Sequence, residues 1–212
     1  MPNLYYSLVS SLPSFRMMDT PPLSYQKFLE SCNSLMNRHD FDVLTKLTLG
    51  PGVFLKGFEA EKEEPSSSQD DFFKEVLKQF PSGSLAEKYM LFEISLRNTL
   101  LKLRMQKLGV STQNLTPSCY NDIDGEYVAR LCYAVQNPWE REKMLDMMRW
   151  RKIEELEREN TNHFRFDTVC AYSLRLQIAW KWVARNHGDS HSNLNAAAVD
   201  ICDRYQKNKE HI

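Results

Sequence analysis

The stretch SLAEKYMLFEISLRNTLLKLRMQKLG, residues 84–109, decides the fold. It opens on Ser84-Leu-Ala-Glu87, the form of a capping box, in which a hydroxyl and a carboxylate answer the unpaired amides of a helix start, and it closes on Gly109. At 100° per residue, Leu85, Tyr89, Phe92, Leu96, Leu100 and Leu103 form one apolar stripe, and Met90, Ile94, Leu101, Met105 and Leu108 form another on nearly the opposite side. A helix apolar on two sides must be covered on two sides, so this one is expected at the centre of the molecule. Glu93, Arg97 and Arg104 run along one seam between the stripes, with Glu93 and Arg97 at the i, i+4 spacing of an ion pair.

The flanking sequence is helical as well. After Pro21-Pro22, Ser24 caps a segment whose apolar residues Tyr25, Phe28, Leu29, Cys32, Leu35 and Met36 recur at three and four residues, and Asp40 is the expected cap of a short helix with Phe41, Leu44 and Leu47. Phe72 to Phe80 reads as a short aromatic helix ended by Pro81 and Gly83. Asp122 or Asp124 opens the next, bearing Tyr127, Val128, Leu131, Cys132 and Val135. Asn137-Pro138-Trp-Glu140 then combines a cap, a proline at the first helical position and an early carboxylate. Asp167 is the expected cap of a helix over 168–186, and 193–207 reads as a last one. Residues 3–12 suit either an extended segment or a short helix.

Glycine and proline cost a helix interior about 1 and 3 kcal/mol, so their placement is informative. The seven glycines are about 3% of 212 residues, against an average near 7%, and they fall where helices are expected to begin, end or be absent. No proline occurs from Trp139 to Ile212. The fold class expected is all-α, a bundle of about seven to eight helices. The chain reads as a single helical domain over 1–212, or as two lobes, 1–49 and 72–212, joined by a flexible linker over 50–71. That linker carries an acidic cluster, Glu59, Glu61, Glu63, Glu64, Asp70 and Asp71, within which Lys62 is the only cation, a composition suited to solvation.

Composition excludes some functions. A net charge of −1 supplies no basic field for nucleic acid, and no stretch approaches the ~20 apolar residues of a membrane span. Five scattered cysteines without a C-x-x-C pair read as small buried hydrophobes in a reducing compartment. The phosphate-cradling, nucleophile-elbow and zincin motifs are absent, as is the Glu-x-x-His of di-iron bundles. His187 and His191 are spaced like metal ligands but lack a third, and read as loop histidines; the tryptophans and methionines lie at core spacing. No catalytic, cofactor-binding or metal-ligating residue is therefore assigned, and the Glu93, Arg97, Arg104 seam is read as a structural network. A helical enzyme or ligand-binding protein using that seam is the alternative. On the helix after Pro138, Arg149 and Arg151 precede Glu154, Glu155, Glu157 and Glu159, whose carboxylates oppose the helix dipole; these six are the residues expected to face a partner.

Tyr5-Tyr6-x-Leu8-Val9-x-Ser11-Leu12-Pro13, followed by Pro22-Leu23-Ser24 and Phe28-Leu29, resembles the opening signature of a bacterial family of uncharacterised proteins encoded among V-type ATPase genes. Ala171-Tyr172-x-Leu174-Arg175-Leu176-Gln177-Ile178 with Trp182 resembles that family's closing motif, and Glu93-x-x-x-Arg97 falls in its middle helix. The resemblance implies a counterpart of the ATPase C subunit, the all-helical socket between the central shaft and the membrane rotor ring. It implies protein partners, the shaft subunits and the proteolipid ring, and a non-catalytic part in ion transport by a rotary motor. No nucleic acid, cofactor or direct membrane insertion is expected. The implied location is cytoplasmic, peripheral to the membrane through the complex.

Overall fold

The computed structural model describes residues 4–47, 76–109, 122–159 and 162–187. It is all-α, with helices α1 (Tyr6–Ser11), α2 (Tyr25–Leu35), α3 (38–47), α4 (Leu85–Lys107), α5 (Ile123–Tyr133), α6 (Pro138–Arg158) and α7 (Phe166–His187). No strand occurs among the described residues; Leu4 and Arg165 form an isolated antiparallel bridge. The opening segment thus combines both forms that its sequence suits, extended at Leu4 and helical from Tyr6.

Most helix starts follow from the residue that precedes them. Ser24 accepts the Lys27 amide at 3.3 Å, Asp122 the Gly125 amide at 2.8 Å, and Asn137 the amides of Trp139 and Glu140 at 2.9 and 3.4 Å. Each such cap satisfies an amide that the helix cannot, worth about 1 kcal/mol. At Ser84 the hydroxyl accepts from Glu87 N at 3.2 Å, while the Glu87 carboxylate reaches back to Gly83 N at 2.5 Å, one residue beyond the usual capping-box amide. Gly83 itself adopts a left-handed φ of 74°, which a side chain would resist.

Two expected caps are corrected. Helix α3 begins at 38 because Asn37, not Asp40, is its cap, accepting the Asp40 amide at 2.8 Å. The Asp40 carboxylate instead takes the Tyr5 hydroxyl and the Asn37 side-chain amide. Helix α7 begins at Phe166, before Asp167, and the Asp167 carboxylate accepts the amide of Leu85 at 3.1 Å, the first residue of α4. An acidic group there meets the positive end of the α4 dipole. Of the expected helix over 72–80 the structure describes 76–80, helical at 76 and 77 and turning after them, with Val76, Leu77 and Phe80 buried; the expected helix over 193–207 and the 50–71 linker lie outside the described residues.

Helix α4 packs against α5, α6 and α7, as a doubly apolar helix must. Leu85, Tyr89, Met90, Phe92, Ile94, Leu96 and Leu100 are buried, so both stripes are covered over the first four turns. The second stripe then runs into solvent at Leu101 and Leu108. Helix α1 packs on α2 and α2 on α7, bringing residues 4–47 into the same core as α4 to α7. Phe28, wholly buried, lies 5.3 Å from the Tyr172 ring. Between α5 and α6 the chain turns tightly, and the Arg141 guanidinium closes the turn on the Val135 carbonyl at 2.7 and 2.9 Å.

The tightest helix contact is at Gly125. A Cβ there would stand 2.6 Å from the Phe92 carbonyl oxygen and 3.0 Å from Leu96 N, both backbone atoms of α4. Glycine is thus required by proximity rather than by its backbone angles. Replacing glycine inside a helix ordinarily gains about 1 kcal/mol, whereas forcing two backbones apart costs about 1–3 kcal/mol. Gly125→Ala is therefore expected to lower stability in urea denaturation; an unchanged or higher midpoint would show that α5 sits further from α4.

Candidate functional site

At the middle of α4 the Glu93 side chain, 2% exposed, is enclosed by cations. Arg97, one turn on, donates its Nε to Glu93 Oε1 at 2.7 Å. From α6, Arg149 grips the same carboxylate with two donors, Nη2 to Oε1 at 2.8 Å and Nε to Oε2 at 2.9 Å. Its Nη1 turns to Asp146 Oδ1 at 2.9 Å. Asp146, 1% exposed, also receives the indole N–H of Trp182 at 3.0 Å and the ammonium of Lys181 at 2.7 Å, both from α7. Lys181 and Arg185 continue to Glu142 at 2.5 and 3.5 Å. Three helices are thus tied by one layer of charge, in which Glu93, Asp146 and Glu142 face the four cations Arg97, Arg149, Lys181 and Arg185.

The layer is legible in α6. Asp146 and Arg149 share the face that carries Leu145, Ile153 and Leu156, all buried, and a charged pair on an apolar face must find partners in the core. Burial alone would raise the Glu93 carboxyl; the Arg149 and Arg97 guanidiniums overcome it and hold it at about 2. The Arg149 guanidinium is driven the other way, higher still than usual, by Glu93 against the opposing effect of burial. Burial pushes Tyr89, beside this layer, upward, with Glu93 adding to the effect.

Of the expected seam, Glu93 and Arg97 meet as spaced, while Arg104 lies two turns beyond Arg97 and is exposed. Arg149 supplies the second cation. It was expected to face a partner, yet its side chain is only 14% exposed, because 149 falls on the face of α6 turned to α4. Arg151 is exposed on the outer face. The carboxylates beyond it have partners within the chain: Glu154 takes the Trp150 indole at 2.9 Å, Glu155 pairs with Lys152 at 3.2 Å, Glu157 with Arg175 at 2.9 Å and Glu159 with Lys88 at 2.5 Å. The acidic end of α6 is thus tied to α7 through Glu157 and to α4 through Glu159, while Glu154 and Glu155 find partners within α6 itself.

The residues of the two end motifs converge. Tyr5 N donates to the Phe164 carbonyl at 2.7 Å, and the Tyr5 ring is buried with its hydroxyl on Asn37 and Asp40. Tyr6 stacks outside against Phe164, Leu8 is buried, and Ser11 Oγ closes the last turn of α1 on Leu8 O. Beyond Leu12, the Pro13 carbonyl accepts the Tyr172 hydroxyl at 3.1 Å, and Leu23, next to exposed Pro22, accepts the Trp180 indole N–H at 3.0 Å. Leu174 and Leu176 are core residues, and the buried Gln177 Nε2 has no hydrogen-bond partner among the described residues.

Cys32, Cys132 and Cys170 are buried free thiols, and burial pushes Cys32 up to about 12, far from the thiolate form that metals and oxidants need. Among the described residues no group of three His, Cys, Asp or Glu is placed to hold a metal ion, and no helix is long and apolar enough to cross a membrane. The His187 and His191 spacing lies outside the side chains described.

Residues 130–191 match the family described as Protein of unknown function (DUF2764). The matched stretch takes in the end of α5 with all of α6 and α7, and so includes Asp146, Arg149, Trp182 and the Tyr172 motif. No curated protein and no solved structure matches the chain.

The ionic layer has a measurable pH signature. Because the folded Glu93 value of about 2 lies below the usual 4.5, its charge stabilises the fold fully above about 4.5 and the contribution is lost as pH falls towards 2. Glu93→Gln, which leaves a buried guanidinium undercompensated, is expected to cost about 3–5 kcal/mol at neutral pH. The gap from wild type should narrow on acidification through that window, read by urea denaturation at a series of pH values. A variant within about 1 kcal/mol of wild type at pH 7 would mean that the layer is solvated.

Proposed function

We propose that this chain is a non-catalytic, C-subunit-like component or accessory of a V-type ATPase, joining the central shaft to the membrane rotor ring. The reading rests on the resemblance of the two end motifs. The observation that carries it further is that the two motifs, far apart in sequence, pack together in the fold, through the Pro13–Tyr172 hydrogen bond and through the Tyr5–Phe164 and Leu23–Trp180 hydrogen bonds that tie the opening motif to α7 and the segment before it.

A part that passes torque has to resist shear between its helices. Apolar packing is non-directional and allows helices to slide at small cost, whereas a two-donor guanidinium–carboxylate contact fixes both distance and angle. The Glu93–Arg149 pair places such a contact between α4 and α6, and the Trp182 indole on Asp146 ties α7 to the same layer. The same pairing bears on the alternative use of the seam by a substrate: both Glu93 oxygens accept guanidinium donors, which leaves that carboxylate engaged inside the protein.

Affinity purification of the tagged chain from native membranes under mild detergent is expected to recover shaft subunits or the proteolipid ring. Recovery of the chain without any ATPase subunit, under conditions in which the ATPase itself stays assembled, would overturn the reading.

A further inference from the structure

The pairings between helices α4 to α7 fix which of their ends lie together. On one side of the Glu93–Arg149 pair the Lys88–Glu159 bridge joins an earlier residue of α4 to a later one of α6, so the two helices run antiparallel. On the other side Leu101 stands eight residues along α4 and Trp139 ten along α6, about 12 and 15 Å from the pair at about 1.5 Å per residue. The Lys152–Asp124 bridge and the grip of Arg141 on the Val135 carbonyl bring the end of α5 to the same place, and the bridges from Lys181 and Arg185 to Glu142 bring the end of α7 there.

Charge is sorted along this axis. Lys102, Arg104 and Lys107 stand in the last turns of α4, Arg130 in the last turn of α5 and Lys143 in the second turn of α6, and none of the five has an ion-pair partner among the described residues. Arg141, Lys181 and Arg185 add further cations, whereas the described carboxylates at this end are Glu140 and Glu142, the second already held by Lys181 and Arg185. Helix C-termini favour cations, but three C-termini and one N-terminus amount to about one negative charge, which falls short of this excess. Asp122, Asp124 and Glu126 open α5 at the opposite end, where Glu154, Glu155, Glu157 and Glu159 close α6. The net charge of −1 thus sums over a polarised molecule. Apolar groups stand out among the unpaired cations: Leu108 is 76% exposed, Trp139 48% and Leu101 40%, and Leu101, Arg104 and Leu108 share one face of α4.

We propose that this end of the bundle is a docking surface for an anionic phospholipid bilayer, on which the protein adsorbs at headgroup depth. Lys and Arg without partners in the chain meet the lipid phosphates, and their long stems let the charges sit among the headgroups while neighbouring apolar groups go deeper. Trp139 suits that depth, since an indole combines an apolar body with a polar N–H. Leu101 and Leu108 decide between anionic partners: nucleic acid or an acidic protein segment would take up the charge and leave these leucines in water, whereas a bilayer buries them. Cations spread over three helices also match a sheet of diffuse charge better than a single phosphate. None of the five unpaired cations or the three apolar residues belongs to the motifs that carry the ATPase reading, and vesicles free of ATPase subunits test the surface alone.

The full chain is expected to co-sediment with phosphatidylcholine vesicles containing about 30% phosphatidylglycerol at about 0.1 M salt, where the Debye length is about 10 Å. Pure phosphatidylcholine should bind it about tenfold less, and about 0.5 M salt should release most of it. Arg104→Gln, Lys107→Gln and Arg130→Gln, all at exposed positions, should each lower partitioning about fivefold. Leu108→Ser should lower it severalfold without altering the salt dependence, and lipids brominated on their acyl chains should quench tryptophan fluorescence. Arg151→Gln and Arg158→Gln, towards the acidic end of α6, should leave binding unchanged. No binding to the anionic vesicles, equal binding to phosphatidylcholine alone, or equal losses from the Arg151 and Arg158 variants would each overturn the proposal. Binding that is lost with Arg104 and Lys107 but indifferent to Leu108→Ser and to bromolipid would overturn it in favour of an acidic protein or nucleic acid.

Discussion

Arg149 holds both oxygens of Glu93 with one edge of its guanidinium and reaches Asp146 with the remaining nitrogen, and the rest of the bundle is arranged around that grip. A guanidinium cannot shed its charge in a protein, so any packing of α6 on α4 must bring a carboxylate to it or leave a charge uncompensated in the core. Glu93 is that carboxylate, and Arg97 takes up the charge that a single cation leaves over. Asp146 in turn needs the Trp182 indole and Lys181, which brings α7 into register. Apolar contacts hold the helices together; the charge layer selects one alignment among those that the apolar contacts allow.

Helix α7 does a different kind of work. It ties down the opening segment through Tyr172 and Trp180, supplies through Asp167 the acceptor for the first amide of α4, and neutralises the acidic end of α6 through Arg175. Its buried residues face three sets of neighbours at once, and Val169, Cys170, Ala171 and Ala179 are wholly enclosed.

Much of this was legible in the sequence because it is local. Caps at Ser24, Ser84, Asp122 and Asn137 act on amides two or three residues away, and the double stripe of α4 depends only on helical period. Where a side chain acts at long range the reading fails for a definite reason. Asp167 resembles a cap for its own helix and serves another, 82 residues earlier, and Asp40 yields its capping place to Asn37 because Tyr5 claims its carboxylate. Arg149 stands beside the exposed Arg151 in sequence, yet its neighbours at 145, 146 and 153 mark it as part of the buried face. The docking of the opening segment is beyond sequence reasoning, since nothing in residues 9–15 says that they will lie along Thr168, Tyr172 and Arg175.

The long reach of these contacts also orders events in time. Pro13 waits for Tyr172, 159 positions later, and Leu23 for Trp180, 157 positions later. A ribosome adding about 5–20 residues per second therefore exposes the opening segment and the bare start of α4 for on the order of ten seconds before α7 exists to receive them. Closing so large a loop is entropically slow. Folding of this chain is accordingly governed from its far end, and the emerging N-terminal half, with apolar Leu8 and Phe28 still uncovered, is the state that chaperones would meet.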